Sequence, residues 1–383
     1  MIDLGMPDAE FRASRLEQGL LYRRAAMQVA PPAWREVDAL LHAIDPRPPT
    51  LQLFQRGRMQ ASEAYVDEGH PSACARPSLN RKRLYERLSE GATLVFNRLE
   101  CFMPLAALLC QNLAERMRNP TMANAYLSFS GIGGGEATFG AHWDTHDVFA
   151  LQLIGRKRWR VYEPTLTLPL SSQTSQRSGH CRPAVPVLDC VLSPGDLLYL
   201  PRGWWHEVEL IDRASFHVSV GLYPPSLHDY MQWVTARALS GLVEARKSLN
   251  PASLSDLRVA ITALNGALLH PAHLAAFERE YAGRRPTPSV FDLGLLAEDV
   301  LPAGESEVHL APGVVYRGAG GETQVDARLA LDADRRGIVA VLSREGPLSI
   351  AALRGFLPAR PPEALRSALM GLIFDDAVVL RRR

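Results

Sequence analysis

The stretch VFALQLIGRKRWRVYE, residues 148–163, has the texture of two consecutive β-strands. Its first part, Val148 to Ile154, is almost wholly apolar, which predicts a strand that is buried on both faces. Gly155 and Arg156 predict a turn, after which Lys157, Trp159 and Val161 share one face of the next strand. Lys157 therefore falls on the apolar face, where an ammonium is costly unless an anion meets it.

The residues around this pair of strands, from Met122 to about Tyr223, continue the same pattern. NAYLSFS alternates strictly, with Asn124, Tyr126 and Ser128 on one face. SPGD predicts a turn before the strand LLYL, and PRG predicts another before WWHEVELI. Many short strands joined by tight turns predict a sandwich or a small barrel.

Helical patterns lie on both sides of the strand-rich region. Pro104 opens a predicted helix with Leu105, Leu109, Leu113 and Met117 at four-residue steps, and Asn119-Pro120 ends it. YPPS, residues 223–226, predicts a boundary, and residues 227–282 are predicted to be helical. The last portion mixes short strands with two helical patterns and ends in the strand-like AVVLRRR, and helices followed by a short hairpin would make a winged-helix module.

The composition is that of an ordinary globular protein. Lys and Arg number 42 against 41 for Asp and Glu, so bulk charge gives no reason to expect direct nucleic-acid binding. The five cysteines contain no C-x-x-C pair, which argues against disulfides and structural zinc and favours a cytoplasmic location. The N-terminal segment does not have the pattern of a signal peptide, and no apolar run is long enough to span a bilayer.

The stretch GAHWDTHDVF, residues 140–149, contains a candidate metal site. His142 and Asp144 are two residues apart, so on a strand their side chains would project to the same face. In GWWHEVEL the alternation directs His206 inward, where a buried imidazole needs a hydrogen-bond partner or a metal. His146, Asp147 and His180 have no comparable support and are interpreted as turn or surface residues.

Two histidines and one carboxylate on a β scaffold are typical of the facial triad of non-haem Fe(II) oxygenases, although zinc hydrolases use the same ligands. Lys157 discriminates between an Fe(II) oxygenase and a zinc hydrolase. Its ammonium would anchor the far carboxylate of a cosubstrate whose 2-oxo-acid end chelates the iron. The alternative is that Lys157, at the first position of its strand, extends to water.

These segments together resemble the cupin-like JmjC oxygenases of the ribosomal oxygenase family, which are Fe(II)- and 2-oxoglutarate-dependent hydroxylases. The close match covers about Asn124 to Leu222. The resemblance implies an α+β fold with a double-stranded β-helix (jelly-roll or cupin) core and an N-terminal helical and strand extension, together spanning residues 1–225. It further implies a helical dimerisation region at residues 226–300, a C-terminal winged-helix-like domain at residues 301–383, and a homodimer.

By position, the resemblance implies that His142, Asp144 and His206 are the iron ligands and catalytic centre. It implies that Lys157 binds 2-oxoglutarate, that Asn124 and Tyr126 line the cosubstrate pocket, and that Ser219 lies at its far side. The segment EATFGA, residues 136–141, is longer than in the shorter bacterial members and lies at the pocket mouth, so it bears on substrate choice.

The predicted activity is hydroxylation of a C–H bond with Fe(II), 2-oxoglutarate and dioxygen. The resemblance favours an arginine or histidine side chain of a ribosomal protein as substrate. Two alternatives stay open: hydroxylation of another peptide or of a biosynthetic small molecule, and a non-catalytic cupin-like module that keeps its metal for structure.

Overall fold

The structure of the chain is a computed structural model. It describes residues 2–68, 76–131, 139–249, 254–284, 306–311, 314–317, 323–325, 329, 331–375 and 377–381. These residues form two compact units, Met1–Tyr223 and Pro224–Arg383.

The first unit is built on thirteen described strands. In chain order they are β1 Leu21–Arg23, β2 Leu51–Gln55, β3 Arg58–Met59, β4 Val66–Asp67, β5 Ser78–Leu79, β6 Thr93–Phe96, β7 Thr121–Phe129, β8 Asp147–Ile154, β9 Lys157–Tyr162, β10 Leu188–Leu192, β11 Leu197–Leu200, β12 Trp205–Leu210 and β13 Ala214–Leu222. Eight of them make one antiparallel sheet in the order β1-β11-β8-β13-β7-β6-β2-β3. A second antiparallel sheet has the order β10-β9-β12, and β4 pairs with β5 alone.

The two larger sheets face each other across an apolar layer. That layer takes Val148 and Ala150 from β8, Trp159 and Val161 from β9, and further side chains from β10 and β11. Strand β8 therefore contributes to this layer with one face and to the main core with the other, as the continuous apolar run predicts. The predicted two-faced burial of this strand is confirmed.

Helices cover the opposite face of the large sheet. The helices of this unit are α1 Asp8–Ser14, α2 Trp34–Ala43, α3 Arg81–Ser89, α4 Pro104–Met117 and the short α5 Ser175–Ser178, with 3₁₀ turns at Ser62–Ala64 and Leu99–Cys101. Helix α4 begins at its predicted proline and buries Leu109, Leu113 and Met117 against the sheet, so this prediction is confirmed.

A glycine turn and a β-bulge lie next to each other at the end of β8. Gly155 joins β8 to β9 with φ of 65°, and a Cβ there would lie 2.0 Å from the carbonyl oxygen of Ala214. Only glycine fits this close approach. Next to it, the pairing of β13 with β8 slips by one residue between Phe216 and His217, a β-bulge that re-aims the side chains of β13.

The second unit begins with helices and ends in a mixed helix-and-strand segment. Its helices are α6 Leu227–Ala238, α7 Val243–Arg246, α8 Leu254–Leu268, α9 Pro271–Arg284, α10 Ala333–Glu345, α11 Ile350–Phe356 and α12 Pro362–Phe374. Its strands are β14 Glu307–Leu310, β15 Val315–Arg317, β16 Thr323–Val325, β17 Leu348–Ser349 and β18 Val378–Arg381.

The strand after the last helix does not form the expected terminal hairpin. Val378–Arg381 pairs instead with Glu307–Leu310, which also pairs with Leu348–Ser349 to give a sheet of order β17-β14-β18. The reason is packing: Val308 and Val378 both enter the apolar core that α10, α11 and α12 build. Among the described helices none is long and apolar enough alone to cross a membrane. Helix α8 and the segment Pro271–Glu278, which are bent by 66° relative to each other, reach the required length and apolar composition only when they are taken together.

Candidate metal centre

His142 and His206 are brought together by the backbone. The two residues form an isolated antiparallel bridge, in which the His142 N–H donates to the His206 carbonyl oxygen at 3.0 Å and the reverse bond measures 2.8 Å. Their imidazole centroids lie 4.4 Å apart. Two residues that are 64 positions apart in sequence are therefore fixed side by side before any ion binds.

Asp144 completes the cluster. Its backbone carbonyl accepts a hydrogen bond from the N–H of Gly203 at 3.0 Å, which ties the residue to the turn before β12. Its Oδ2 lies 3.7 Å from Nε2 of His206, and one ligand atom from each of the three residues lies within 4.8 Å of the others. Ligands that bind one ion at about 2.1 Å are themselves about 3–3.5 Å apart, so a small side-chain adjustment lets all three meet.

The tautomers of both histidines suit a metal ligand. Nδ1 of His142 contacts the carbonyl oxygen of Gly140 at 3.1 Å, and Nδ1 of His206 contacts that of Trp204 at 3.2 Å. A carbonyl oxygen only accepts, so each Nδ1 carries the proton and each Nε2 keeps its lone pair. Such second-sphere bonds to the non-ligating nitrogen are typical of metal-binding histidines.

The charges at this cluster also suit a cation. Burial, together with the neighbouring His142, lowers the pKa of His206 to about 4, so the His206 imidazole is neutral near pH 7. Burial acts to raise the pKa of the Asp144 carboxyl, but the surrounding imidazoles, His146 foremost, outweigh it and the pKa is lowered. The site thus offers the neutral imidazole of His206 and the carboxylate of Asp144 to a cation.

Lys157 lies inside the protein, at the far end of the same inter-sheet space. Only 5% of it is exposed, so it does not extend to water as the alternative interpretation would require. Burial lowers the pKa of its ammonium to about 7. Among the described residues no carboxylate forms an ion pair with it, and its hydrogen-bond partners are neutral.

Three polar residues lie beside Lys157. The sequence allows Ser128 and His217 in the pocket but favours exposed strand faces for both, and it gives no signal for Thr93. The Lys157 ammonium donates to Oγ of Ser128 at 3.0 Å, and Nζ lies 3.1 Å from Nδ1 of His217. Oγ of Ser128 is in turn 2.9 Å from Oγ1 of Thr93. The alternation of NAYLSFS and SFHVSV places Ser128 and His217 on the correct faces, but polar strand faces are more often exposed than buried.

The structure places the other predicted pocket residues on adjoining strands. Tyr126 stacks on His217, with ring centroids 4.8 Å apart and planes 8° from parallel. Asn124 and Ser219 are opposite one another in the β7–β13 pairing, and the Asn124 side chain accepts a hydrogen bond from the N–H of Arg98 at 3.2 Å. The roles expected for these three residues toward a cosubstrate stay predictions.

Of the residues interpreted as turn or surface residues, Asp147 is instead packed, whereas His146 lies at a bend as expected. Asp147 is fully buried at the start of β8, where it accepts hydrogen bonds from the hydroxyl of Tyr199 at 2.6 Å and the N–H of Arg202 at 2.9 Å. His146 stacks on Tyr223 with centroids 4.7 Å apart. The interpretation of Asp147 fails because one residue inside a dense polar run gives no signal of its long-range partners, whereas His180 is exposed as expected.

An aromatic cluster flanks the metal-ligand candidates on one side. Phe139, 37% exposed, packs against Phe54 and Tyr126 with centroids 4.9 and 5.8 Å away, and its ring lies 6.4 Å from that of His142. Phe139 belongs to the segment EATFGA, whose first three residues, 136–138, lie outside the described residues.

Comparison with known proteins relates this chain to JmjC proteins. The JmjC domain model matches residues 102–230. The bifunctional lysine-specific demethylase and histidyl-hydroxylase NO66 of Drosophila pseudoobscura pseudoobscura is 33% identical over 194 residues, which are 49% of this chain and 20% of that protein. Ribosomal oxygenase 1 of Gallus gallus is 36% identical over 135 residues, 34% of this chain and 22% of that protein. The match thus spans about a fifth of the length of these curated relatives.

Solved structures agree on the fold. The X-ray structure of E. coli ycfD has a TM-score of 0.57 at 19% identity, covering 99% of this chain and 100% of that one. YcfD, a ribosomal oxygenase from Escherichia coli in complex with cobalt and 2-oxoglutarate, has a TM-score of 0.56 at 20% identity and covers 100% of both chains. The expected mixed helix-and-strand fold of a JmjC/cupin protein and the resemblance to the ribosomal oxygenases are confirmed. Residues 102–230 of this chain match the JmjC domain, and this part of the protein is homologous to the ribosomal oxygenases.

Proposed function

We propose that this protein is an Fe(II)- and 2-oxoglutarate-dependent oxygenase that hydroxylates a C–H bond of a protein or peptide side chain. One observation carries the proposal: a His-Asp-His cluster and a buried ammonium, which no carboxylate of the described residues pairs, occupy the same inter-sheet space. A diacid that chelates the metal with one end and binds the Lys157 ammonium with the other would compensate both charges. A zinc hydrolase would use the cluster alone and would leave the buried Lys157 without a role.

The donor set supports Fe(II). His142, Asp144 and His206 would hold the ion through two imidazole nitrogens and one carboxylate oxygen, leaving three coordination positions for a bidentate cosubstrate and dioxygen. The structural neighbour with cobalt and 2-oxoglutarate supports the same pairing of metal and cosubstrate.

The surroundings of Lys157 support a carboxylate ligand. An ammonium that is desolvated among neutral groups is stabilised when a carboxylate binds, and the bound anion raises the pKa that burial has lowered. Asn124, Tyr126 and Ser219 would line the rest of the cosubstrate pocket.

The bound metal and cosubstrate supply the oxidising chemistry: dioxygen and 2-oxoglutarate are consumed, succinate and carbon dioxide form, and one oxygen atom enters the substrate C–H bond. The chain itself holds and orients these groups. The Nδ1 bonds to Gly140 and Trp204 would leave the Nε2 atoms of His142 and His206 available to hold the ion. Trp159, 3% exposed, stacks on His206 and keeps water away from the interior side of the site.

For the substrate, we favour an arginine or histidine side chain of a ribosomal protein. Support comes from the relatives that are named ribosomal oxygenases and histidyl-hydroxylases. The exposed ring of Phe139 beside His142 offers a face on which a flat guanidinium or imidazole group would stack. The alternative substrates are another peptide and a biosynthetic small molecule.

Two measurements test the enzyme class. Anaerobic addition of Fe(II) and 2-oxoglutarate is expected to give a weak visible charge-transfer band only when both are present, which reports chelation. Dioxygen-dependent succinate release is expected from the wild type. If neither signal appears, the oxygenase assignment is wrong, and a metal-binding module without catalysis would remain.

The substrate is tested separately by mass spectrometry. Ribosomal proteins incubated with the enzyme, Fe(II), 2-oxoglutarate and dioxygen should gain the mass of one oxygen atom on an arginine or histidine. Unmodified ribosomal proteins together with oxidation of a different peptide or of a small molecule would refute the ribosomal substrate but leave the enzyme class intact.

We also propose that α6 and α8 contribute to a homodimer and that α10 to α12 with β14, β17 and β18 form a winged-helix-like module. The dimer is supported by an exposed apolar stripe at helical spacing on α8, made of Leu254, Leu257 and Ile261 at 65%, 50% and 50% exposure. Leu257→Glu should lower the molar mass found by analytical ultracentrifugation. Val185→Glu, which replaces an exposed apolar residue of the first unit, should not, and equal masses for both variants would contradict the proposal.

A cytoplasmic location is part of the same proposal. Cys101, Cys110, Cys181 and Cys190 are free thiols, as expected for a protein of a reducing compartment.

A further inference from the structure

The ammonium of Lys157 has three N–H donors, and two of them already have partners. One donates to Oγ of Ser128 at 3.0 Å, and a second faces Nδ1 of His217 at 3.1 Å. Because the three N–H bonds of an ammonium have tetrahedral geometry, two fixed partners also fix the direction of the third. The third N–H would donate to a carboxylate oxygen of the cosubstrate.

His217 is well suited to hold this direction. Only 5% of it is exposed. Its ring is clamped by Tyr126, stacked at 4.8 Å, and by Trp159, whose ring meets it edge-on with centroids 5.7 Å apart. The β-bulge between Phe216 and His217 sets the position of the residue along β13. The ring therefore has little freedom to turn Nδ1 away from Lys157.

The hydrogen bond also requires a defined protonation state. Toward a charged ammonium, Nδ1 of His217 must act as the acceptor, so His217 is neutral and its proton lies on Nε2. Burial, reinforced by the Lys157 charge, lowers the pKa of His217 well below its ordinary value, which agrees with a neutral ring.

We propose that His217 is a positioning residue that directs the third N–H of Lys157 and thereby selects the chain length of the 2-oxo diacid bound between Lys157 and the metal. The inference rests on the proposed function, since it presupposes a diacid that reaches both ends. With the direction of this N–H fixed, we expect a five-carbon diacid to reach both Lys157 and the metal, and a longer one such as 2-oxoadipate not to.

The test compares three variants in Mn(II)-loaded protein without dioxygen, with binding of 2-oxoglutarate and 2-oxoadipate followed by calorimetry. His217→Asn keeps an acceptor, His217→Leu has nearly the same size without one, and His217→Phe keeps a stacked ring without one. We expect the Leu and Phe variants to bind 2-oxoglutarate about tenfold or more weakly and to lose most of the preference over 2-oxoadipate. The Asn variant should stay within about threefold of the wild type, and Mn(II) affinity should be unchanged in all three.

The outcomes are separable. Wild-type affinity and preference in the Leu and Phe variants would overturn the inference, as would an Asn variant as impaired as the Leu variant, because then the acceptor is not what matters. If one substitution prevents folding, as shown by loss of the thermal transition, the remaining variants still decide. A wild type that binds no 2-oxoglutarate in the presence of metal would instead refute the proposed function itself.

Discussion

The two ends of the space between the sheets favour ligands of opposite charge. At the His142 end, an anionic carboxylate and two imidazoles converge, and a cation would satisfy them. At the Lys157 end, a cation lies among neutral hydroxyl and imidazole groups, and an anion is needed. Each end alone could be a purely structural feature. Because the two ends carry opposite charges and face the same interior, one ligand that supplies a cation at the first end and an anion at the second would neutralise both.

The largest effect is expected from breaking the metal end. Asp144→Ala removes the only carboxylate of the cluster, so we expect loss of stable metal binding and a fall of succinate release to background. Metal content after gel filtration and dioxygen-dependent turnover measure the two effects. His180→Ala, on an exposed residue that only flanks Trp143, is the control and should behave as wild type.

The opposite end should fail differently. Lys157→Met keeps the metal ligands but leaves the far carboxylate of 2-oxoglutarate unpaired, which costs about 2–5 kcal/mol for a buried charge pair. This corresponds to a Kd raised about 30-fold or more. Metal affinity should be unchanged, and Lys157→Arg should retain most 2-oxoglutarate binding. Equal loss of metal and cosubstrate binding in Lys157→Met would show that the two ends are not independent.

The same lysine predicts a pH dependence of stability without ligand. Its pKa is about 7 in the folded protein, below the ordinary 10.5, so between these values the unfolded chain binds more protons. The free energy of unfolding therefore increases with rising pH, by about 2 kcal/mol from pH 7 to pH 9. Below pH 7 the lysine is charged in both states, and the destabilisation by the buried charge is at its full size. Denaturant unfolding of wild type and Lys157→Met over this range isolates the effect, because the other titrating groups cancel in the difference. His217 faces the ammonium but is neutral throughout.

A smaller effect is expected from the turn that supports the lysine end. Gly155→Ala places a Cβ against the Ala214 carbonyl at a positive φ, whereas Gly179 has a similar φ of 69° with open space around it. Strain at such positions costs about 1–3 kcal/mol, and the close contact adds to it at Gly155 alone. We expect Gly155→Ala to be the less stable variant by about 2 kcal/mol in denaturant unfolding and to weaken 2-oxoglutarate more than metal. Equal stability of the two variants would show that the bulge absorbs the contact.

The two units also differ in how well the sequence predicts their strands and strand pairing. The strands of the first unit alternate or run apolar without interruption, and the sequence predicts them well. The strand Val378–Arg381 pairs with Glu307–Leu310, about 70 residues earlier, and nothing in AVVLRRR identifies that partner. Strand existence depends on local periodicity, but pairing depends on which apolar faces must be buried together.

The same distinction holds within the site. Residue order predicted the candidate ligands His142, Asp144 and His206 from a two-residue step and an inward-facing histidine, which are local features. The strand assumed for the two-residue step is wrong, because His142 forms an isolated bridge and Asp144 lies outside the strands. Residue order also placed Lys157 on an apolar face. Whether that ammonium reached water or stayed inside could not be read from the sequence, since both fit the first position of a strand.

Only the folded chain decided what surrounds each group. The β-bulge on β13 and the packing of the small sheet on the large one put Ser128 and His217 beside Lys157 and made Asp147 a buried acceptor for Tyr199 and Arg202. These contacts join residues that are 29 to 60 positions apart, and their energies depend on desolvation, which exists only once the sheets close over the groups.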